Sequence, residues 1–297
     1  KGGDTASGSC SVDVILKTTA SEYWSYVKAG AEAYAKDNSD VQVEVKGATS
    51  ETAYDEQQNM IETDLNSGAY DAFVIAPLQA DLVKTLIAGK SDPIIAVDTN
   101  IDAPEVLSFV GTGNEDAAAM GGKAAVDAAK AAGWDKVQAI AISGVQGDGT
   151  AMARLAGYEK GVTEAGGEFL KGEIQYADAV ADKAANSMEA IMQNHPEGVA
   201  IIVCNNDDMA IGALQAIQSA GRTVNKDIYL VGVDALDAAK NEVANGNMTG
   251  TVLNDDVGQA TAAAEATKLF VEGKDVEQFY WVDYVKVTKD NASQYIK

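Results

Sequence analysis

A chain of 297 residues with a formal net charge of −23 has room for two domains of ordinary size. It carries no positive footprint for nucleic acid or for an anionic membrane surface. A hydrophobic content of 46% with 23% charged residues excludes a disordered chain, and one histidine with two cysteines in no Cys/His cluster excludes a structural zinc site.

The first ten residues, KGGDTASGSC, read as a flexible tether. Apolar, β-branched runs then recur at 12–17 (VDVILK), 41–46 (VQVEVK), 72–76 (AFVIA), 94–98 (IIAVD) and 107–110 (LSFV). A second set lies at 137–142 (VQAIAI), 167–174 (GEFLKGEI), 199–204 (VAIIVC), 228–234 (IYLVGVD) and 250–253 (GTVL). Helical patterns separate most of them; EYWSYVKAGAEAYAKD, for example, spaces its apolar residues for one face of a helix. Strands alternating with helices indicate βαβ units and parallel sheets. Within each set the first three strands are spaced by about thirty residues, one βαβ unit, so the chain predicts two similar doubly wound α/β domains. After the tenth strand come a helix and two short strands, YWV and YVKV, which can return to the first domain and then add an edge to the second. The expected domains are 11–112 plus 255–282 and 113–254 plus 283–297, with 1–10 as tether.

The predicted strands end on polar residues in both halves: Lys17, Asp98, Asn205 with Asn206, Asp234 and Asn254. In VAIIVCNNDDMAIGAL a buried strand runs straight into four hydrogen-bonding side chains. Helix capping by Asp207 or Asp208 accounts for one of them. In open α/β sheets ligands bind at the carboxyl edge, and two like domains create a cleft there. Bland roles compete at each position. Asp98 and Asp234 can cap the next turn, and Arg154 alone reads as a solvated helix residue. Tyr23 and Trp24 read as core, although two adjacent aromatics on a helix should send at least one out of it. Lys17 is the least expected by chance, since lysine is rarely buried without a partner. His195, before a proline in a turn, is expected to be exposed, and Cys204 to be a small core hydrophobe; a Cys10–Cys204 disulfide is disfavoured by a tail-to-strand pairing.

Taken together, CNNDDMAIGALQAIQSAG, VGVDALDAAK, GTVLNDD, VILKTTASEYWSYVKAG and ARLAGYEKG resemble the periplasmic sugar-binding proteins of ABC importers, in the ribose, glucose/galactose and allose group. The resemblance runs from about residue 11 to 290 and implies a Venus-flytrap fold, two α/β domains joined by a three-segment hinge. It implies sugar contacts from Lys17, Ser21, Tyr23, Trp24, Asp98, Thr99, Asp148, Arg154, Asn206, Asp234 and Asn254. Carboxylate, amide and guanidinium groups suit ring hydroxyls, and an aromatic face suits the C–H face of a sugar. The chain departs from the family pattern near Ala179, where no second stacking aromatic stands, and at Thr99, where ribose binders carry arginine. At Asp148 the glucose/galactose group has a nearby histidine, and the calcium loop of that group has no counterpart here.

The resemblance implies a neutral sugar or polyol as ligand, an ABC importer permease as partner, and no cofactor, metal, nucleic acid or catalysis. It also implies a monomer outside the cytoplasmic membrane. The Gly/Ser/Thr/Ala start suggests a lipoprotein anchored at a cysteine ahead of residue 1, with Cys10 the weaker anchor. Two alternatives compete. The ligand-binding core of a lactose-repressor-type regulator lacks support from any basic helix-turn-helix segment. An α/β hydrolase acting on sugars through carboxylates lacks GxSxG, a P-loop and a triad around the one histidine.

Overall fold

The computed structural model describes residues 9–296. Residues 1–8 of the expected tether lie outside the described residues, and Cys10 does not belong to a tether: it opens the first strand and is buried.

The chain divides into two compact units, one ending at Gly111 and resuming over Asp255–Val282, the other comprising Thr112–Asn254 and Asp283–Lys297. It passes from one to the other after Gly111, Asn254 and Val282. The first unit alternates β1 (Cys10–Thr18), α1 (Glu22–Asp37), β2 (Val41–Ala48), α2 (Tyr54–Ser67), β3 (Ala72–Ile75), α3 (Ala80–Ile87), β4 (Ile94–Val97) and β5 (Val106–Gly111). The second holds α4 (Asn114–Ala131), β6 (Gln138–Ser143), α5 (Gly149–Glu164), β7 (Glu168–Phe169), β8 (Gln175–Tyr176) and α6 (Ala181–Asn194). It continues with β9 (Ile201–Cys204), α7 (Asp207–Ser219), β10 (Tyr229–Val231), α8 (Asp237–Asn245) and β11 (Gly250–Asn254). The remainder supplies α9 (Asp256–Val271) and β12 (Phe279–Trp281) to the first unit and β13 (Tyr284–Thr288) to the second.

The first sheet runs β12-β5-β4-β3-β1-β2, parallel throughout. The second runs β13-β11-β10-β9-β6-β7, with β8 also on β6, and only β13 is antiparallel. Strand order therefore reverses beside the first strand of each unit, between β1 and β3 and between β6 and β9, the kind of switch point at which doubly wound sheets bind ligands. The short central strands are apolar and buried at every residue because helices cover both faces.

Of the strand predicted at 167–174 only Glu168–Phe169 forms, and a second short strand follows just beyond it at Gln175–Tyr176. Glu168–Phe169 pairs with the start of β6 and Gln175–Tyr176 with its end, while Lys171–Glu173 turns as a 3₁₀ helix between them. Glu168, Lys171 and Glu173 give this edge no apolar alternation to hold it flat. His195 is not exposed either. It caps the end of α6 with 14% of its side chain accessible, hydrogen-bonds Glu173 through Nε2 and faces Glu197 at 3.5 Å. The hydrogen bond to Glu173 raises its pKa. Cys10 and Cys204 are both free and buried, and Cys204 packs in a core of the second unit.

α4 and α5 approach closely enough to touch backbone to backbone. A Cβ on Gly157 would lie 2.0 Å from the Glu115 carbonyl oxygen, and one on Gly161 2.0 Å from that of Ala119. This contact seats α5, and with it Arg154, against the start of α4. Gly161→Ala gains about 1 kcal/mol of helix propensity but overpacks against a carbonyl with no rotamer to yield, a conflict of about 1–3 kcal/mol or more. We expect a lower urea midpoint for Gly161→Ala. For Gly172→Ala, whose Cβ meets nothing within 4 Å, we expect no change. Equal midpoints for both variants would contradict the close approach.

Candidate ligand-binding site

In the first unit the polar strand ends meet. Lys17, near the end of β1, places Nζ 3.4 Å from Asp98 Oδ2, and the two side chains are 3% and 5% exposed. Asp98 follows β4 with φ 64°, a left-handed conformation that aspartate tolerates better than most residues. Its N–H still donates to the Val110 carbonyl, and Thr99 Oγ1 donates to its Oδ2 at 3.2 Å. Gln57 of α2 fixes the same edge: its amide donates to the Leu16 and Ala76 carbonyls and its oxygen accepts from Leu78 N–H.

Ser21 caps α1 by accepting from Trp24 N–H. Tyr23 and Trp24 are both buried, so the expectation that one must leave the interior is wrong. They meet edge to face at 5.0 Å, and Trp24 Nε1 donates to Glu51, which follows β2, at 3.0 Å. The loop after β2 supplies the second wall that a bare helix lacks.

In the second unit Arg154 is buried, not solvated. Its Nε donates to Asn114 Oδ1 at 2.9 Å, Nη1 to the Asn205 carbonyl at 2.9 Å, and Nη2 reaches Asp234 Oδ1 at 3.4 Å. Asn254 Nδ2 meets the same Asp234 oxygen at 3.3 Å. Asp234 follows β10 with φ 115°, and its N–H donates to the Val252 carbonyl. Arg154, Asp234 and Asn254 thus form one contact group at the carboxyl edge of the sheet.

The four polar residues after β9 divide their tasks. The Asn205 carbonyl holds Arg154. Asn206, rather than Asp207 or Asp208, is the N-cap of α7, accepting from Met209 N–H at 2.9 Å. Asp207 is wholly buried and binds Leu236 N–H and Thr251 Oγ1, which ties α7 to the N-cap of α8 and to the beginning of β11. Burial, and then the charge of Asp234, raises its carboxyl well above the usual range. Below them Tyr158 donates to the Cys204 carbonyl at 2.7 Å, and burial raises both the phenol and the thiol. Asp148 caps α5, accepting from Ala151 N–H at 2.8 Å. Asp148 and Asn206 therefore sit at helix starts at this edge. Asp178 and Ala179, at the position without an aromatic, are consecutive left-handed residues with φ 49° and 62°.

Asn114, Asn205, Asp207, Gln57 and Glu51 were not among the expected contacts. Only Asn205 and Asp207 carried a sequence signal, the polar run after an apolar strand. Among the described residues no cluster of three or more His, Cys, Asp or Glu suits a metal ion.

Comparison with known proteins gives this geometry a setting. The chain is 26% identical to a xylitol-binding protein of Mycolicibacterium smegmatis over 98% of its own length and 81% of the relative's. It is 30% identical to the D-allose-binding periplasmic protein of Escherichia coli over 88% of this chain and 83% of that one. A carbohydrate transporter solute-binding protein of Agrobacterium radiobacter, solved with D-arabinose, superposes with a TM-score of 0.88 at 26% identity, covering 97% of each chain. The model of the periplasmic binding protein domain matches residues 12–275. The chain belongs to that family, whose members bind a solute for transport and do not transform it.

Proposed function

We propose that the chain captures a neutral sugar or polyol between its two units and, as a monomer outside the cytoplasmic membrane, presents it to the permease of an ABC importer. The observation that carries this reading is the pairing of charges at the two carboxyl edges. Lys17 with Asp98 and Arg154 with Asp234 each combine one cation with one carboxylate, buried and 3.4 Å apart. Each cation already meets a carboxylate of its own unit before any ligand arrives. A neutral polyhydroxylated molecule offers hydroxyls to carboxylate, amide and guanidinium alike. An acidic sugar would bring a further charge that has to be desolvated and paired. The ligands named for the xylitol-binding, D-allose-binding and D-arabinose-bound relatives are of this neutral class.

The contacts are those of Lys17, Ser21, Tyr23, Trp24, Asp98 and Thr99 on one side and Asp148, Arg154, Asn206, Asp234 and Asn254 on the other. Closure of the units on the ligand is the signal that the permease reads. Lipid anchoring at a cysteine ahead of residue 1 is part of the proposal, because Cys10 is occupied in β1 and buried. Mass spectrometry of the native N-terminus reads it, and an unmodified terminus would remove it.

Ligand that binds only the folded state adds about 2.7 kcal/mol at a hundredfold excess over Kd. With protein stripped by unfolding and refolding, we expect at least one of D-ribose, D-allose, D-arabinose, xylitol and myo-inositol to raise Tm by several degrees. D-galacturonate should not. A response to the acid alone, or to nothing in a broad neutral panel, would contradict the reading. Arg154→Lys retains the charge but loses the planar fork, and we expect calorimetry to show binding at least about tenfold weaker, roughly 1.4 kcal/mol. Parental affinity in that variant would take Arg154 out of the site.

A further inference from the structure

We infer that Asn114 is a positioning residue for the ligand, acting through Arg154; the inference rests on the binding function proposed above. Asn114 is the first residue of α4, three residues after the chain leaves the first unit at Gly111. Its side chain is spanned at both ends. Oδ1 accepts from Arg154 Nε at 2.9 Å, and Nδ2 donates to the Thr112 carbonyl at 3.3 Å. Arginine only donates, so the amide must present its oxygen to Nε and its nitrogen to the carbonyl. The bond fixes the amide as firmly as it fixes the guanidinium.

Three acceptors of Arg154 come from separate segments, and each meets a different nitrogen. Asn205 meets Nη1 at the end of β9, Asp234 meets Nη2 after β10, and Asn114 meets Nε. Nε lies nearest the aliphatic stem, so its bond sets the rotation of the guanidinium plane about the end of that stem. The bonds at Nη1 and Nη2 hold the outer edge of the guanidinium, and the bond at Nε holds its inner edge. A planar donor that must meet ligand hydroxyls in a set direction gains affinity from being held beforehand, since the ordering cost is met at folding and not at binding. The location adds a second consequence. Asn114 ties the arginine to the segment by which the chain enters the second unit, so the orientation of the guanidinium and the conformation of Thr112–Asn114 are set together.

The test uses the full chain and the variants Asn114→Ala, Asn114→Asp, Arg154→Ala and the Asn114→Ala/Arg154→Ala double variant. Exchange of the Arg154 Nε proton, followed by nitrogen-15 NMR without ligand and assigned by its loss in Arg154→Ala, reports the bond directly. We expect a slowly exchanging proton in the parent and in Asn114→Asp, and fast exchange in Asn114→Ala. Calorimetry with the tightest-binding sugar of the neutral panel is expected to show Asn114→Ala about tenfold weaker, roughly 1.4 kcal/mol. Asn114→Asp retains the acceptor and is expected within about threefold of the parent. In the Arg154→Ala background, Asn114→Ala should cost less than about twofold more, the coupling expected of residues that act as one. A purely structural asparagine would not be rescued by aspartate and would weaken binding in either background. Unchanged proton exchange in Asn114→Ala, parental affinity in that variant, or no rescue by aspartate would each overturn the inference. If no neutral sugar binds the parent, the functional reading fails, and proton exchange alone then decides whether Asn114 orients Arg154.

Discussion

A guanidinium shut away from water must find its acceptors inside the protein. Taking a charge out of water costs several kcal/mol unless partners meet it, which leaves little tolerance for misplacement. Arg154 satisfies this demand with groups from three segments that are far apart in sequence: Asn114, Asn205 and Asp234. The start of α4, the end of β9 and the turn after β10 must therefore converge on one side chain of α5. Much of the second unit can be understood as what makes that convergence possible. Gly157 and Gly161 let α5 lie against the backbone of α4. Tyr158 pins α5 to the end of β9, and Asp207 clips α7 to Leu236 and Thr251.

The same logic recurs in the first unit with different residues. Lys17 takes the cationic role and Asp98 the anionic one, at the ends of β1 and β4. Asp98 and Asp234 occupy similar places, each just past the end of a parallel strand of its unit, and each has a positive φ. Backbone of this kind persists only where its surroundings over-determine it, and it concentrates at ligand clamps. In both units the aspartate keeps a ladder-like N–H bond, to Val110 in one and Val252 in the other. The side chain is thereby turned out of the strand while the chain stays tied to the sheet. The same device thus recurs in both units.

Much of this was legible in the sequence because parallel strands buried on both faces write themselves as unbroken apolar runs. AFVI, IIAV and IIVC could be read directly, and the polar residues after IIAV and IIVC marked the carboxyl edge. The resemblance added Arg154, which periodicity alone assigns to a solvated helix face. The misreadings have physical causes. GEFLKGEI has the composition of a strand, but its charges and Gly172 let it turn away from β6 midway. Tyr23 and Trp24 violated a rule that holds for an isolated helix and fails when the loop carrying Glu51 folds over its first turn. Asn114 and Gln57 gave no signal, because a helix residue that reaches across the fold to an arginine or to strand-end carbonyls looks like any other polar helix residue.

The central claim is that one ligand engages groups from both units. Small-angle scattering of the stripped protein, without ligand and saturated with the best-binding neutral sugar, tests it most directly. The account predicts a smaller radius of gyration in the saturated protein, because a ligand that contacts both units stabilises the conformation in which they close on it. An unchanged radius, with saturation verified by calorimetry on the same sample, would contradict the account.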